Sequence, residues 1–192
     1  DTVRIVHKNY TTVFSKSLHY PLLVEWWATK DKVACKDQLA RADKFTPDPL
    51  LPKDSDLGKD YVGSGLDRGH MSPAADNECS GKDVLTEAFY FTNMVPQYHS
   101  LNAGDWKSVE TMTRDLAVKN DSVHVWAGAI GDAKHIKSLV VPTQNWKVMY
   151  VPKTNTWYAY LFGDVDIKPT GIASHVSTVE EIQKLTGFKF KK

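Results

Sequence analysis

Two groups of residues in this 192-residue chain carry side chains that could combine acid–base and metal chemistry. The first group is the glycine-rich run Gly63-Ser64-Gly65-Leu66-Asp67-Arg68-Gly69-His70, in which an arginine and a histidine lie two residues apart. The second group follows at intervals of four residues and consists of Asn102, Trp106, Glu110 and Arg114. Histidine supplies a general base, arginine binds phosphate, and amide and carboxylate oxygens suit a hard divalent cation. Together these side chains meet the requirements for hydrolysing a phosphodiester.

Taken singly, each of these residues also has an ordinary structural explanation. Asp67 could hold one ring nitrogen of His70, or it could cap the local turn. Asn102 is a favourable residue for the start of a helix. Glu110 and Arg114 could form a surface ion pair one helical turn apart. The other six histidines have no such neighbours, and we expect them to be structural or exposed.

Hydrophobic patterns predict the elements that would position these residues. Six segments are typical of strands, namely 3–14, 20–28, 88–94, 122–130, 139–151 and 156–166. A helix is predicted to begin near Asn102 and to bury Trp106, Val109, Thr113, Leu116 and Ala117. A last helix is predicted to begin at the capping box Ser177-Thr178-Val179-Glu180 and to end at Gly187. This order favours an α+β fold with a mostly antiparallel central sheet flanked by helices.

The segment that leads into the histidine run is predicted to be a long ordered loop. Residues 43–60 contain Pro47, Pro49 and Pro52 among charged residues, and proline forces extended backbone before it. Within the run, Gly65 and Gly69 are expected to let the backbone approach a ligand or adopt positive φ.

Composition and charge limit the classes of protein to which the chain can belong. With 42% hydrophobic residues and no low-complexity tract, residues 1–192 are expected to form a single domain. No apolar run approaches the roughly 18 residues that cross a bilayer, so we expect a soluble protein without a membrane partner. The net charge is only +1, so a phosphate-binding face would have to be assembled by folding.

The chain contains two cysteines, Cys35 and Cys79, which do not form a zinc pattern. They could form one disulfide, or they could be two buried thiols of a cytosolic protein. The chain begins at Asp1 rather than Met, so any export signal is expected to have been removed already.

The ordered series of motifs resembles the DNA/RNA non-specific endonucleases, the ββα-metal nucleases that include sugar-non-specific nucleases and endonuclease G. The matching residues are Asp67-Arg68-Gly69-His70-Met71-Ser72-Pro73, Thr92-Asn93-Met94, Pro96-Gln97, Leu101-Asn102, Gly104, Trp106, Glu110 and Arg114. The resemblance extends from about residue 41 to residue 116, and Arg41 looks like an upstream arginine of the family.

This resemblance implies a role for each site residue. It makes His70 the general base, Asn102 the direct ligand of a single Mg²⁺ or Mn²⁺, and Glu110 the group that holds metal-bound water. The negative charge of the transition state would be stabilised by three arginines, Arg68, Arg41 and Arg114. The implied reaction is cleavage of DNA and RNA without sequence or sugar specificity, which leaves 5′-phosphate ends. With an ordinary histidine pKa of about 6.5, activity is expected to rise through that pH.

Two other functions would use the same residues: a phosphodiesterase of small nucleotides, and a catalytically silent nucleic-acid-binding module of this fold. The resemblance favours a secreted or periplasmic protein, and with it a Cys35–Cys79 disulfide. Since a free non-specific nuclease endangers a cytoplasm, a protein inhibitor is a further expected partner. The sequence does not fix the oligomeric state.

Overall fold

The computed structural model describes all 192 residues and contains ten strands. They are β1 (Thr2–Val6), β2 (Tyr10–Ser15), β3 (Tyr20–Thr29), β4 (Asp67–His70), β5 (Met94–Gln97), β6 (Ser122–Ile130), β7 (Lys134–Ile136), β8 (Leu139–Val141), β9 (Gln144–Val151) and β10 (Thr156–Gly163). Six of them form an antiparallel sheet in the order β1-β2-β3-β6-β9-β10. Two further antiparallel pairs, β4-β5 and β7-β8, lie outside this sheet.

Six helices accompany the strands, and only one of them is long. They are α1 (Lys30–Val33), α2 (Gly58–Tyr61), α3 (Lys82–Glu87), α4 (His99–Leu101), α5 (Lys107–Asn120) and α6 (Val179–Thr186). A π turn at Asn102–Trp106 joins α4 to α5. Short 3₁₀ turns lie at Ala74–Asp76, Phe91–Asn93, Pro152–Thr154 and Ile172–His175. The predicted α+β class with a mostly antiparallel sheet is confirmed, and β4, β5 and α5 form a ββα unit.

Four predicted strands have different bounds in the structure, and the simplest case is segment 156–166, whose strand ends at Gly163. Segment 3–14 is two paired strands, because the chain reverses after His7, whose N–H donates to the carbonyl of Tyr10. Segment 139–151 is interrupted at Pro142, which has no N–H to donate to a strand ladder. Segment 88–94 contains the 3₁₀ turn Phe91–Asn93, and its strand begins only at Met94. A backbone turn, a proline and a 3₁₀ turn thus interrupt three of the predicted strands.

The start of the last helix differs from the prediction by one residue. The capping residue is Thr178, whose hydroxyl accepts a hydrogen bond from the backbone N–H of Glu181 at 3.1 Å. Ser177 instead donates to the carboxylate of Glu181. The helix ends at Gly187, with φ of +76°, as predicted.

The two faces of the large sheet pack against different helices. Helix α5 covers one face and buries Val109, Thr113 and Ala117 there, which confirms its predicted apolar stripe. Helix α6 and the C-terminal segment cover the other face with Ile182 and Phe190. None of the helices combines the length and the apolar character that a bilayer crossing requires.

One disulfide joins two segments that are distant in the sequence. Cys35 and Cys79 are bonded, with their Cα atoms 5.8 Å apart, and this is the pairing that the resemblance implied. The bond connects the segment after α1 to the turn that follows Ala74–Asp76. It therefore anchors the chain that leads away from β4.

Candidate active site

The imidazole of His70 lies at the end of β4 in an aromatic environment. The ring packs edge-to-face on Phe89 with centroids 5.0 Å apart, and it lies 5.6 Å from the ring of Phe45. The indole N–H of Trp106 donates to the backbone carbonyl of His70 at 3.2 Å, which ties the strand to the helix. Neither ring nitrogen of His70 has a hydrogen-bond partner in the protein, and Nε2 is buried. Asp67 does not hold this ring, so that hypothesis is wrong.

Gly69 is required by a side chain, not by a positive φ. A Cβ built at this position would lie 2.0 Å from Oε1 of Gln97, which crosses the strand there. Gly65 does adopt positive φ, at +76°. The two glycines of the motif are thus required for different reasons. Gly65 allows a positive φ, and Gly69 allows the side chain of Gln97, from the neighbouring strand β5, to approach the backbone closely.

Asn102 and Asp67 form a hydrogen-bonded pair at the edge of the site. The amide Nδ2 of Asn102 donates to Oδ2 of Asp67 at 2.8 Å, and Nδ1 of His99 lies 2.8 Å from the same oxygen. Asn102 lies within helical backbone ahead of the kink at Gly104, so the alternative explanation, that it caps the start of a helix, is wrong. Because its amide nitrogen is engaged, its Oδ1, which has no partner in the protein, is available to a ligand.

Five of the predicted site residues meet in one cleft of about 290 Å³. Its lining consists of Arg41, His70, Pro73, Ala74, Ala75, Asn102, Ala103, Lys107, Glu110 and Arg114. Three of the side chains are cationic and one is acidic, so folding assembles a positive cleft in a chain of net charge +1. Such a cleft suits a phosphate group.

Arg68 lies outside this lining. Its guanidinium is 5.1 Å from the ring centroid of Phe45 and 5.2 Å from that of Tyr61. Its Nε is buried without a hydrogen-bond partner. Because Phe45 contacts both this guanidinium and the ring of His70, Arg68 is a neighbour of the cleft and supports its wall.

Glu110 and Arg114 do not form the surface ion pair that was their alternative explanation. The guanidinium of Arg114 lies 3.4 Å from Oδ1 of Asp76 and 3.2 Å from the hydroxyl of Thr111. Asp76, which the sequence did not single out, is almost fully buried and also accepts a hydrogen bond from the indole of Trp26 at 2.9 Å. Arg114 is therefore held by a buried acid and turned towards the cleft.

Burial shifts the pKa values of His70 and Glu110 in opposite directions. Desolvation lowers the pKa of His70 to about 3, and the positive charge of Arg41 contributes to the decrease. The ordinary pKa expected from the sequence therefore does not hold, and the imidazole is neutral at pH 7. Burial raises the pKa of Glu110, while the positive charges of Lys147 and Arg114 oppose that rise.

The donor set of the cleft fits a hard divalent cation. No three His, Cys, Asp or Glu side chains come together as a metal cluster anywhere in the protein. The free oxygen of Asn102 and the carboxylate of Glu110 line the cleft instead. Mg²⁺ accepts one or two protein oxygens and retains most of its waters. A neutral histidine, a cationic cleft and an oxygen donor on a ββα unit define the class of metal-dependent phosphodiester hydrolases.

Comparison with known proteins agrees with this class. A family model described as DNA/RNA non-specific endonuclease matches residues 1–192, and the chain belongs to this family. Members of the family are phosphodiester hydrolases that depend on a divalent metal ion and act on nucleic acid.

The similarity extends to individual relatives. The chain is 33% identical over 168 residues to "Nuclease EXOG, mitochondrial" from Xenopus laevis, a match that covers 77% of this chain and 47% of the relative. It is 29% identical over 201 residues to a nuclease from Serratia marcescens, with 96% and 73% covered. The chain spans about half the length of the EXOG relatives.

A solved structure shares the fold at a TM-score of 0.86. It is a chain from the crystal structure of an EndoG/EndoGI complex, which concerns the mechanism of EndoG inhibition. It is 25% identical in sequence, and the match covers 97% of this chain and 84% of the other.

Proposed function

We propose that this chain, as a single domain of residues 1–192, hydrolyses phosphodiester bonds within DNA and RNA without sequence or sugar specificity. The observation that carries the proposal is the cleft, in which a neutral imidazole, a free amide oxygen and two arginines surround one volume of about 290 Å³. The cofactor is one Mg²⁺, for which Mn²⁺ can substitute, and the products have 5′-phosphate ends.

His70 acts as the general base. Because Nε2 of His70 is buried, the other nitrogen of the neutral imidazole, Nδ1, accepts a proton from a water molecule that attacks the phosphorus in line with the departing 3′ oxygen. The aromatic contacts and the Trp106 hydrogen bond fix the ring and its strand, so the base is positioned before substrate binds.

Asn102 and Glu110 hold the metal site. Asn102 provides the direct oxygen ligand, oriented by Asp67, and Glu110 accepts hydrogen bonds from water in the cleft. When bound, the divalent cation supplies Lewis-acid charge to a non-bridging phosphate oxygen and to the leaving group.

Arginine side chains stabilise the additional negative charge of the transition state. Arg41 and Arg114 line the cleft directly, and both present guanidinium groups that pair well with phosphate oxygens. Arg68 acts from behind Phe45, where its charge contributes to the positive potential at the site.

The lack of specificity follows from what the cleft offers. Its polar groups are cations, one imidazole, one amide and one carboxylate, and these recognise phosphate and metal, which every nucleotide shares. Both sugars are accepted unless a group outside the cleft reads the 2′-hydroxyl.

The decisive experiment is cleavage of supercoiled plasmid and of a long RNA, with Mg²⁺ and with EDTA. Wild type should degrade both only with metal, and His70→Ala should lose roughly 10²–10⁴-fold in rate. His135→Ala is the matched control, because that histidine is exposed and lies outside the cleft. Cleavage of short nucleotides alone would indicate the small-substrate phosphodiesterase instead, and metal-independent binding without cleavage would indicate the silent binding module.

Two further features concern the setting of the enzyme. The disulfide is typical of an oxidising compartment, which supports a secreted or periplasmic location, although some relatives are named mitochondrial. The structural neighbour was solved with its inhibitor, which supports a protein inhibitor as a partner here. Recovery of the oxidised protein from culture medium or periplasm, and not from cytoplasm, tests the location.

A further inference from the structure

The segment 164–175, which follows β10 and precedes α6, runs alongside the chain that leads into the π turn. The backbone N–H of Tyr98 donates to Oδ1 of Asp164 at 3.2 Å. The hydroxyl of Ser100, within α4, donates to Oδ1 of Asp166 at 2.9 Å. Two acidic side chains thus attach this segment to the residues that come just before the π turn.

The kink of the π turn packs directly on the same segment. Gly104 leaves the helical conformation there, with φ of −101° and ψ of −115°. A Cβ built on Gly104 would lie 2.6 Å from Cγ of Pro169, so a glycine is needed for the two chains to approach this closely. π turns are rare and occur mostly at functional sites. The kink is therefore closely packed against segment 164–175.

Asp105 makes the strongest connection between the turn and segment 164–175. Its side chain is only 8% exposed. Oδ2 accepts a hydrogen bond from the backbone N–H of Thr170 at 2.8 Å and lies 2.9 Å from Nε2 of His175. Oδ1 accepts from the backbone N–H of Gly171 at 3.1 Å. Both carboxylate oxygens are thus engaged, and an apolar replacement would leave two backbone N–H groups without this acceptor.

The same turn also carries two residues that contact the candidate active site. Nδ2 of Asn102 donates to Oδ2 of Asp67 at 2.8 Å, and this is the one hydrogen bond that the Asn102 side chain makes in the protein. The indole N–H of Trp106 donates to the backbone carbonyl of His70 at 3.2 Å. Asp105 lies between these two residues in the chain. The position of the Asn102 amide therefore depends on the backbone that Asp105 holds.

We propose that Asp105 is a positioning residue for hydrolysis: by binding segment 164–175, its carboxylate fixes the π turn so that Oδ1 of Asn102 stays directed into the cleft. The inference rests on the proposed function, in which Asn102 is the direct metal ligand. Asp105 acts through Asn102 and does not itself line the cleft.

The test compares the binding of Mn²⁺ to substrate-free wild type and Asp105→Ala, followed by electron paramagnetic resonance. We expect the dissociation constant to rise roughly 10-fold in the variant, as is typical when a group that orients a metal ligand is lost. In metal-free protein, the side-chain amide NMR signal of Asn102 should also shift. Asp115→Ala is the matched control, because it removes the same charge from an exposed position of α5 and should change neither readout.

A merely structural role predicts a different result. Asp105→Ala would then melt at a lower temperature, but the folded variant would bind Mn²⁺ as wild type does and keep the Asn102 signal, and this outcome would overturn the proposal. If Asp105→Ala does not fold, Asp105→Asn replaces it, since the amide retains only one acceptor oxygen for the three donors. An unchanged Mn²⁺ affinity in that variant would equally overturn the proposal.

The same measurements separate this inference from the proposed function. A wild-type protein that binds Mn²⁺ but cleaves neither DNA nor RNA would refute the proposed function, and the binding comparison would still decide the role of Asp105. A wild-type protein that cleaves both, with Mn²⁺ affinity unaffected by Asp105→Ala, would leave the proposed function standing and overturn the inference.

Discussion

The pH dependence of cleavage depends on how strongly the fold keeps His70 neutral. With the pKa lowered to about 3 by burial and by Arg41, about 99% of the imidazole is neutral at pH 5. An ordinary histidine with a pKa of about 6.5 would be only about 3% neutral there. Between pH 8 and pH 5, titration of the base should therefore change the rate by less than about 1.1-fold, whereas an ordinary imidazole would give about 30-fold.

Single-turnover cleavage of a labelled oligonucleotide at saturating Mg²⁺ measures this difference. Wild type should still lose activity at acid pH, because burial raises the pKa of Glu110 and its protonation removes a water-holding carboxylate. The measurement is therefore repeated in Glu110→Gln, whose lower but residual activity reports His70 without that second titration. In this background the rate should be flat from pH 8 to pH 5.

Removing the guanidinium of Arg41 tests whether its positive charge lowers the pKa of His70. Arg41→Met in the Glu110→Gln background should move the acid limb of His70 upward, because the positive charge of Arg41 contributes to lowering that pKa. Lys44→Met is the control, since it removes an exposed cation that does not line the cleft. A 30-fold loss with a midpoint near pH 6.5 in Glu110→Gln itself would refute the reasoning, because it would mean that the imidazole is solvated.

Other changes should have distinct effects. Asp67→Ala removes the carboxylate that orients the metal-binding asparagine, so the Mg²⁺ concentration for half-maximal rate should rise roughly 10–100-fold; an unchanged metal dependence would contradict this role. Gly69→Ala places a Cβ 2.0 Å from Oε1 of Gln97 and should lower the free energy of unfolding by about 1–3 kcal/mol in urea titrations. The double change Cys35→Ala and Cys79→Ala opens a loop of 44 residues and should cost about 4 kcal/mol, or roughly 8–16 °C in melting temperature by circular dichroism, with cleavage at 25 °C retained.

Features set by local sequence could be predicted well. The stripe of Val109, Thr113 and Ala117 follows helical periodicity, and these residues are buried as expected. The structure also brings the motif residues His70 and Asn102 into one cleft, as the resemblance of the ordered motifs implies.

Features set by contacts between distant segments could not be predicted. Arg68 and His70 share a face of β4, yet only His70 lines the cleft, whereas the guanidinium of Arg68 packs on the rings of Phe45 and Tyr61. Asp76 and Lys107 look like ordinary loop and helix residues, and only the fold brings them to the site. The partner of Asp67 depends likewise on how the π turn presents its amide.

Lys147 did leave a signal in the sequence. It is a single charge inside the otherwise largely apolar segment 146–151, which forms a central strand. A lysine is almost never fully buried without a compensating partner, so such a position marks a functional candidate. What the sequence could not supply is that the ammonium lies 4.2 Å from the ring centroid of Trp106, which belongs to a distant segment.

Burial affects both titratable groups of the site, and each of them has a cation nearby: Arg41 for His70, and Lys147 for Glu110. Desolvation favours the neutral form of both groups, which suits the His70 base but opposes the Glu110 carboxylate. Arg41 adds to the effect at His70, whereas Lys147 counteracts it at Glu110. Arg41 thus favours the neutral form of His70, and Lys147 favours the charged form of Glu110, yet both cations lower the pKa of the group they act on. Each lowers the pH at which its group becomes protonated, so loss of either cation should narrow the active range from the acid side.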